Sequence, residues 1–475
     1  MMYPPAPSGP HPSCPLSTFV ERGITAGRPP LSANAERGSG GEAPKGHGRE
    51  DRWRIVFTVA CVALLTACGD SAPAGPTLRF WAFGREGEVV QQLVRDFERE
   101  HPGVRVEVQQ IPWSAAHEKL LTAHVGHATP DLAQLGNTWV PELVTLDALL
   151  PLDSLQRAAA DMDTSGHYPG IWATNVVDGQ LWGIPWYVDT RVLFYRKDLL
   201  LQAGYRSMPE TWAEWRAAMR AIRRQGGEGR YAIFLPLNEW PPQAILGLQR
   251  GSPLITAGGH GAFGDSAFAG AFDFMLGLYR EGLAPPVSNT EIANLYQEFA
   301  RGTFSMYITG PWNLGEFRRR LPDSLQQAWA TAPLPGPTGA ASGLSLAGGS
   351  SLVIFRESKH PALAWELIRF LSRPEQQVRF YHLTGDLPAR REAWEDSALA
   401  GDSAAAAFRV QLTRAVPTPM VPEWEQVTTK IMDQTEAAVR GGVSPAEALA
   451  ALDKEVDRLL ERRRYLLARP PVARP

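Results

Sequence analysis

Cysteine is close to absent from this chain of 475 residues, which holds only Cys14, Cys61 and Cys68. A disulfide-stapled scaffold is thereby excluded, and a chain this long must be held by ordinary apolar cores, more than one by its length. An excess of charge of one sign is also missing. The 47 Lys and Arg stand against 50 Asp and Glu, which removes the basic footprint of a nucleic-acid binder. Long hydrophobic runs are lacking too: the most apolar stretch, residues 55–65, is too short to span a bilayer comfortably. No Walker-type phosphate loop and no HExxH pair occurs.

The amino-terminal region divides by composition. Residues 1–51 are rich in Pro, Gly, Ser and Arg without apolar periodicity, as in a disordered extension or a start codon placed too early. Residues 52–67 then have a basic edge at Arg52 and Arg54 and an apolar core, the build of a secretory signal. The run closes on Leu65-Thr66-Ala67-Cys68, which resembles a bacterial lipobox, with cleavage before Cys68 and lipid on its sulfur. Residues 68–76 read as a lipidated tether. Removal of the leader leaves 40 basic and 45 acidic residues, a net charge of −5, and a single cysteine. Membrane attachment is expected through that lipid alone.

Beyond the tether the pattern is α/β. Residues 77–83 form a short apolar run, apolar positions recur at helical spacing from Val89 to Phe97, and residues 104–108 alternate with period two. This predicts a β-α-β unit with parallel strands, followed by a helix near 115–125 and a third strand at 132–135. In such sheets ligands gather at the carboxyl ends of strands, here residues 81–86 and 136–139. Residues 179–198, dense in β-branched and aromatic side chains, predict a strand-rich crossing between two lobes, with Trp186, Tyr187 and Asp189 between them. Thr211 is expected to cap a helix, residues 304–309 to form a strand, and residues 310–312 to turn into another helix.

Several motifs are weighed against plainer readings. Residues 259–264 match GxGxxG in letters but open no β-α-β unit, and a glycine-rich turn accounts for them. Around Ser345 the nucleophile-elbow pattern lacks its last glycine, having Ala347. His117, His124 and His127 share a helical neighbourhood, yet solvent-facing histidines explain them better than a metal. Tryptophan is the informative excess, with fifteen in the chain. Trp212, Trp215 and Trp365 fall on apolar helix faces and read as core. Trp81, Trp139, Trp186, Trp240 and Trp312 sit at loops and strand ends, where an aromatic plane beside Asp, Asn, Glu and Arg suits a sugar ring.

From about residue 77 to 460 the chain resembles the extracellular solute-binding proteins of bacterial ABC importers (family 1), the carbohydrate-binding family that includes maltose- and trehalose-binding proteins. The likeness is carried in order by residues 97–104 (FEREHPGV), 183–185 (GIP), 194–199 (FYRKDL), 209–212 (PETW), 310–312 (GPW), 334–337 (LPGP), 348–350 (GGS) and 387–390 (LPAR). It implies a two-lobed, type II-like periplasmic-binding-protein fold, each lobe a mixed sheet flanked by helices, with the ligand cleft at the hinge. One lobe would hold 77–187 and 303–354, the other 190–300 and 358–467. The implied ligand set is Phe83, Glu86, Asn137, Trp139, Asp189, Trp240, Gly310, Trp312, Gly348, Ser350 and Arg390, to which their strand-end and hinge positions add Trp81 and Trp186. The implied partners are a carbohydrate and the permease subunits, with the protein a monomer lacking cofactor, metal and chemistry. Two alternatives stay open: a phosphorylated solute such as a glycerol phosphodiester met by Arg390 and Arg191, and a secreted hydrolase using a carboxylate pair such as Glu86 and Asp189.

Overall fold

The computed structural model describes residues 75–159, 162 and 165–468. The amino-terminal extension, the signal, Cys68 and the tether up to residue 74 lie outside the described residues.

The first β-α-β unit forms as its periodicity requires. In the strand Thr77–Phe83, Leu78, Phe80 and Ala82 enter one core and Trp81 and Phe83 another. Burial on both faces is what helices on both sides of a sheet impose. Helix Gly84–Glu100 lays Val89, Val90, Leu93, Val94 and Phe97 on the first of these cores. The chain returns in Arg105–Ile111, parallel to the first strand, and Leu132–Gly136 joins the other side, also parallel. Gly348–Ile354 then inserts antiparallel between Leu132–Gly136 and Ile184–Asp189, and Leu387–Pro388 closes the edge. These six strands are one sheet.

A second sheet of four strands runs Trp329–Ala332, Val192–Arg196, Phe304–Thr309, Tyr231–Phe234. It too is covered on both faces: Leu193, Met306 and Ile308 enter one core, Val192, Phe194 and Tyr307 the other. Helix Trp212–Gly226 on this sheet is capped by Thr211, whose hydroxyl accepts from the Glu214 N–H at 3.2 Å. The fold is therefore two α/β lobes. The chain passes from the first sheet to the second at Thr190 and Arg191, returns between residues 332 and 348, and leaves again after Pro388.

The lobe boundaries differ from the sequence expectation in two places. Phe304–Thr309, assigned with 303–354 to the first lobe, pairs within the second sheet. The helices Pro361–Leu371 and Pro374–Thr384, assigned to the second lobe, bury Trp365, Ile368 and Phe380 against the first. An apolar period states that an element is buried, while strand register decides on which sheet. The glycines at 348–349 lie within the strand Gly348–Ile354, beside a bulge at Ser350 and Ser351. Gly349 has φ 124°, and a Cβ there would stand 2.3 Å from the Tyr187 carbonyl, so only glycine fits this crossing.

Candidate functional site

Where the strands of the two sheets end, a cavity of about 980 Å³ opens between the lobes. Its first wall is built from three loop-to-helix junctions, each at the carboxyl end of a parallel strand. Glu86 follows the strand Thr77–Phe83, Trp113 follows Arg105–Ile111, and Asn137, Thr138 and Trp139 make a single 3-10 turn after Leu132–Gly136. On the opposite wall, Trp240 follows Tyr231–Phe234 and Trp312 follows Phe304–Thr309. Tyr187, Asp189 and Arg191 on the crossing, Gly348 and Gly349 on the inserted strand, and Asp386 complete the enclosure. The carboxyl ends of the strands thus converge on one cavity, as expected of open α/β sheets.

Aromatic faces dominate both walls. The Trp113 and Trp139 rings lie 5.8 Å apart and inclined at 62°, and Phe83 stands 5.2 Å from the first and 6.2 Å from the second. Across the cavity Trp240 meets the buried Trp424 edge-on at 5.4 Å. The Arg191 guanidinium lies over the Trp312 ring at 4.5 Å, while one nitrogen of it donates to both Asp189 oxygens at 2.6 and 2.7 Å. The Trp312 ring also leans on Gly310, where a Cβ would fall 2.0 Å from it.

The polar groups are organised around Glu86. Its Oε1 accepts from the Tyr187 hydroxyl at 2.9 Å, and that hydroxyl accepts from Gln134 Nε2 at 3.1 Å. Its Oε2 accepts a long bond from the Trp113 indole at 3.4 Å. Burial first, and then the charge of Glu86, push the Tyr187 phenol well above its ordinary value, so it stays a donor. The same two causes push the Asp386 carboxyl up to about 8. Asn137 donates to the Ala347 carbonyl at 3.0 Å, and Thr138 reaches from the first lobe to Glu425 of the second at 2.7 Å. Behind Trp139, His117 lies 4.9 Å from the ring and is raised by its 2.6 Å hydrogen bond to Glu142.

Of the residues proposed from the sequence, Glu86, Asn137, Trp139, Asp189, Trp240, Trp312 and Gly348 line the cavity. Gly310 supports Trp312 from beneath. Five others are placed elsewhere. Trp81 is buried in the first lobe with the Lys119 ammonium 4.9 Å over its ring. Phe83 backs the two wall tryptophans, and Trp186 stacks on Phe380 at 4.4 Å. Ser350 donates to the Leu135 carbonyl at 3.1 Å. Arg390 is buried beside Glu392, 3.2 Å away. Strand parity and the course of the loop after residue 388 decide these placements, and neither is visible in residue type.

Trp113, Thr138, Tyr187, Asp386 and Glu425 line the cavity but were not in the proposed set. For Trp113 and Thr138 the signal was available, since both stand at a strand's carboxyl end. Asp386 and Glu425 carry no such signal. The other motifs take structural roles. His124 meets the Leu146 carbonyl and His127 meets Glu357, so the three histidines have separate partners. Glycine-rich residues 259–264 form a turn whose N–H groups at 263 and 264 donate to Asp453. The Ser345 hydroxyl accepts from the Arg191 N–H and donates to the Arg191 carbonyl, clipping the crossing. Among the described residues no group of three or more His, Cys, Asp or Glu could hold a metal ion.

Comparison with known proteins gives a consistent picture. The profile of the family described as bacterial extracellular solute-binding protein matches residues 83–378. The structure of the sugar-binding protein MalE from Xanthomonas citri is 47% identical and covers 83% of this chain and 100% of its own, with a TM-score of 0.81. The diacetylchitobiose binding protein DasA of Streptomyces coelicolor is 26% identical over 82% of this chain and 92% of its own. A galactooligosaccharide-binding protein of Bacillus subtilis is 26% identical over 83% and 94%.

Proposed function

The chain belongs to the bacterial extracellular solute-binding protein family, and from that premise we propose that it is the extracytoplasmic binding subunit of an ABC importer for a mono- or oligosaccharide. The observation that carries this reading is the pairing of aromatic walls. Trp113 and Trp139 line one side of the cavity, Trp240 and Trp312 the other, and carboxylates and amides lie between them. An aromatic plane covers the C–H face of a pyranose while Glu86 and Asn137 accept from its hydroxyls. Because the walls belong to different lobes, a sugar touching both favours the closed arrangement by the contacts it makes only there. The sugar-binding names of the relatives support the same substrate class.

In this reading the protein hands its ligand on unchanged. Asp189, one half of the carboxylate pair a hydrolase would use, is tied to Arg191. Against a phosphorylated solute, Arg390 pairs with Glu392 and is not among the residues that line the cavity. Tryptophan fluorescence of the chain from residue 69 onward, titrated with mono-, di- and trisaccharides, tests the proposal. A saturable change with recovery of intact sugar is expected; no response across the panel, or cleaved sugar, overturns it.

Anchoring through Cys68 is the second element of the proposal. Among the described residues no helix is long and apolar enough to cross a membrane, and the lipobox-like run supplies the attachment. Cys68→Ser should move the protein from the membrane fraction to the soluble one. Retention on the membrane would refute the lipid.

A further inference from the structure

Among the described residues the cations lining the cavity are three arginines, and each already has a carboxylate partner. Arg85 pairs with Glu88 at 3.2 Å, Arg191 with Asp189 at 2.6 Å, and Arg319 with Glu316. Three further acidic side chains line the same space, and among the described residues their donors are neutral. Glu86 accepts from the Tyr187 hydroxyl and the Trp113 indole, Glu425 from the Thr138 hydroxyl, and Asp386 stands beside Thr384. Glu86 is 7% exposed, so its charge is little screened by water.

Resting on the sugar-binding reading, we propose that Glu86 makes the cleft a charge filter, admitting neutral sugars and excluding those that carry a carboxylate or phosphate. A carboxylate or phosphate needs a cation or several oriented N–H groups to replace its water. Here the charge of each lining arginine is already offset by a carboxylate, and the incoming anion would face the largely buried Glu86. The cavity already declines a second negative charge of its own, since burial beside Glu86 and Asp189 holds Asp386 protonated up to about pH 8. Neutral hydroxyls meet no such penalty: they donate to the Glu86 carboxylate and accept from the protonated Asp386. The specificity rests on repulsion as much as on attraction.

The test takes the neutral sugar that binds best and measures its dissociation constant at pH 7 beside those of its uronic-acid and 6-phosphate forms, by isothermal titration calorimetry. The acidic forms should bind at least about tenfold more weakly to the wild type, the scale of one unfavourable charge contact. Glu86→Gln should narrow that gap to about threefold or less while costing the neutral sugar affinity. The melting temperature of the variant verifies that it folds. Acidic and neutral forms binding alike, or a gap that survives Glu86→Gln, would overturn the filter and leave the sugar-binding reading intact. If no neutral sugar of the panel binds, both fall together.

Discussion

On the first-lobe wall, Glu86 is held by two donors, Asn137 is tied to a backbone carbonyl, and Trp113 and Trp139 brace each other over Phe83. On the second-lobe wall, Trp312 is 45% exposed and rests on Gly310 and the Arg191 guanidinium. The first wall holds its polar groups in place before any ligand arrives, while Trp312 on the second, like the 37% exposed Trp113, offers aromatic area that a ligand can still cover. Preorganised polar groups confer specificity because they lose little freedom on binding. Exposed indole surface contributes affinity because it has water left to shed. The division suits a protein whose lobes close on a solute.

The largest expected effect tests the fixed wall. Trp186 is fully buried behind Tyr187 and stacks on Phe380 at 4.4 Å, so Trp186→Ala should cost about 3–5 kcal/mol of stability in urea unfolding. Trp312→Ala should leave stability within about 0.5 kcal/mol and weaken the best sugar by about fivefold, near 1 kcal/mol. Similar losses of stability in both variants would erase the distinction between the walls. A change in affinity below about twofold would remove Trp312 from the binding surface.

A smaller and pH-dependent effect sharpens the same contrast. Since the Asp386 carboxyl is raised to about 8 from an ordinary 3.8, the folded protein holds that proton more tightly than the unfolded chain does. Its stabilising contribution is complete below 3.8 and is lost as the pH rises through about 8. Asp386→Asn should therefore gain melting temperature over the wild type progressively from pH 5 to pH 8. A constant difference across that window would show that the carboxyl titrates normally.

Much of the architecture was legible because burial leaves a period. The strand Thr77–Phe83 and its following helix, the crossing at Thr190 and Arg191, the Thr211 cap and the turn into Trp312 all follow from spacing or from residues that satisfy local backbone groups. The strand-end rule brought Trp139, Trp240 and Trp312 to the cavity, and applied to the strand Arg105–Ile111 it reaches Trp113 as well. It misplaced Trp81 because the strand Thr77–Phe83 runs two residues beyond it, and Trp186 because a one-residue step along a strand exchanges the two faces, so that Tyr187 reaches the cavity instead. Ser350 and Arg390 failed differently. Their neighbourhoods are assembled from other segments of the chain, Leu135 in one case and the turn at residue 166 and the helix Pro374–Thr384 in the other.

The sequence by itself determined that the chain alternates strands and helices over two lobes, that it holds only three cysteines, and that tryptophans cluster at turns, because each of these depends on local order or composition alone. Only the tertiary structure decided that Phe304–Thr309 belongs to the second sheet, that Asp386 and Glu425 enter the cavity, and that every lining arginine is already paired. Those outcomes depend on strand register and on the electrostatics of groups distant in the chain, and such interactions exist only once the backbone has closed around them.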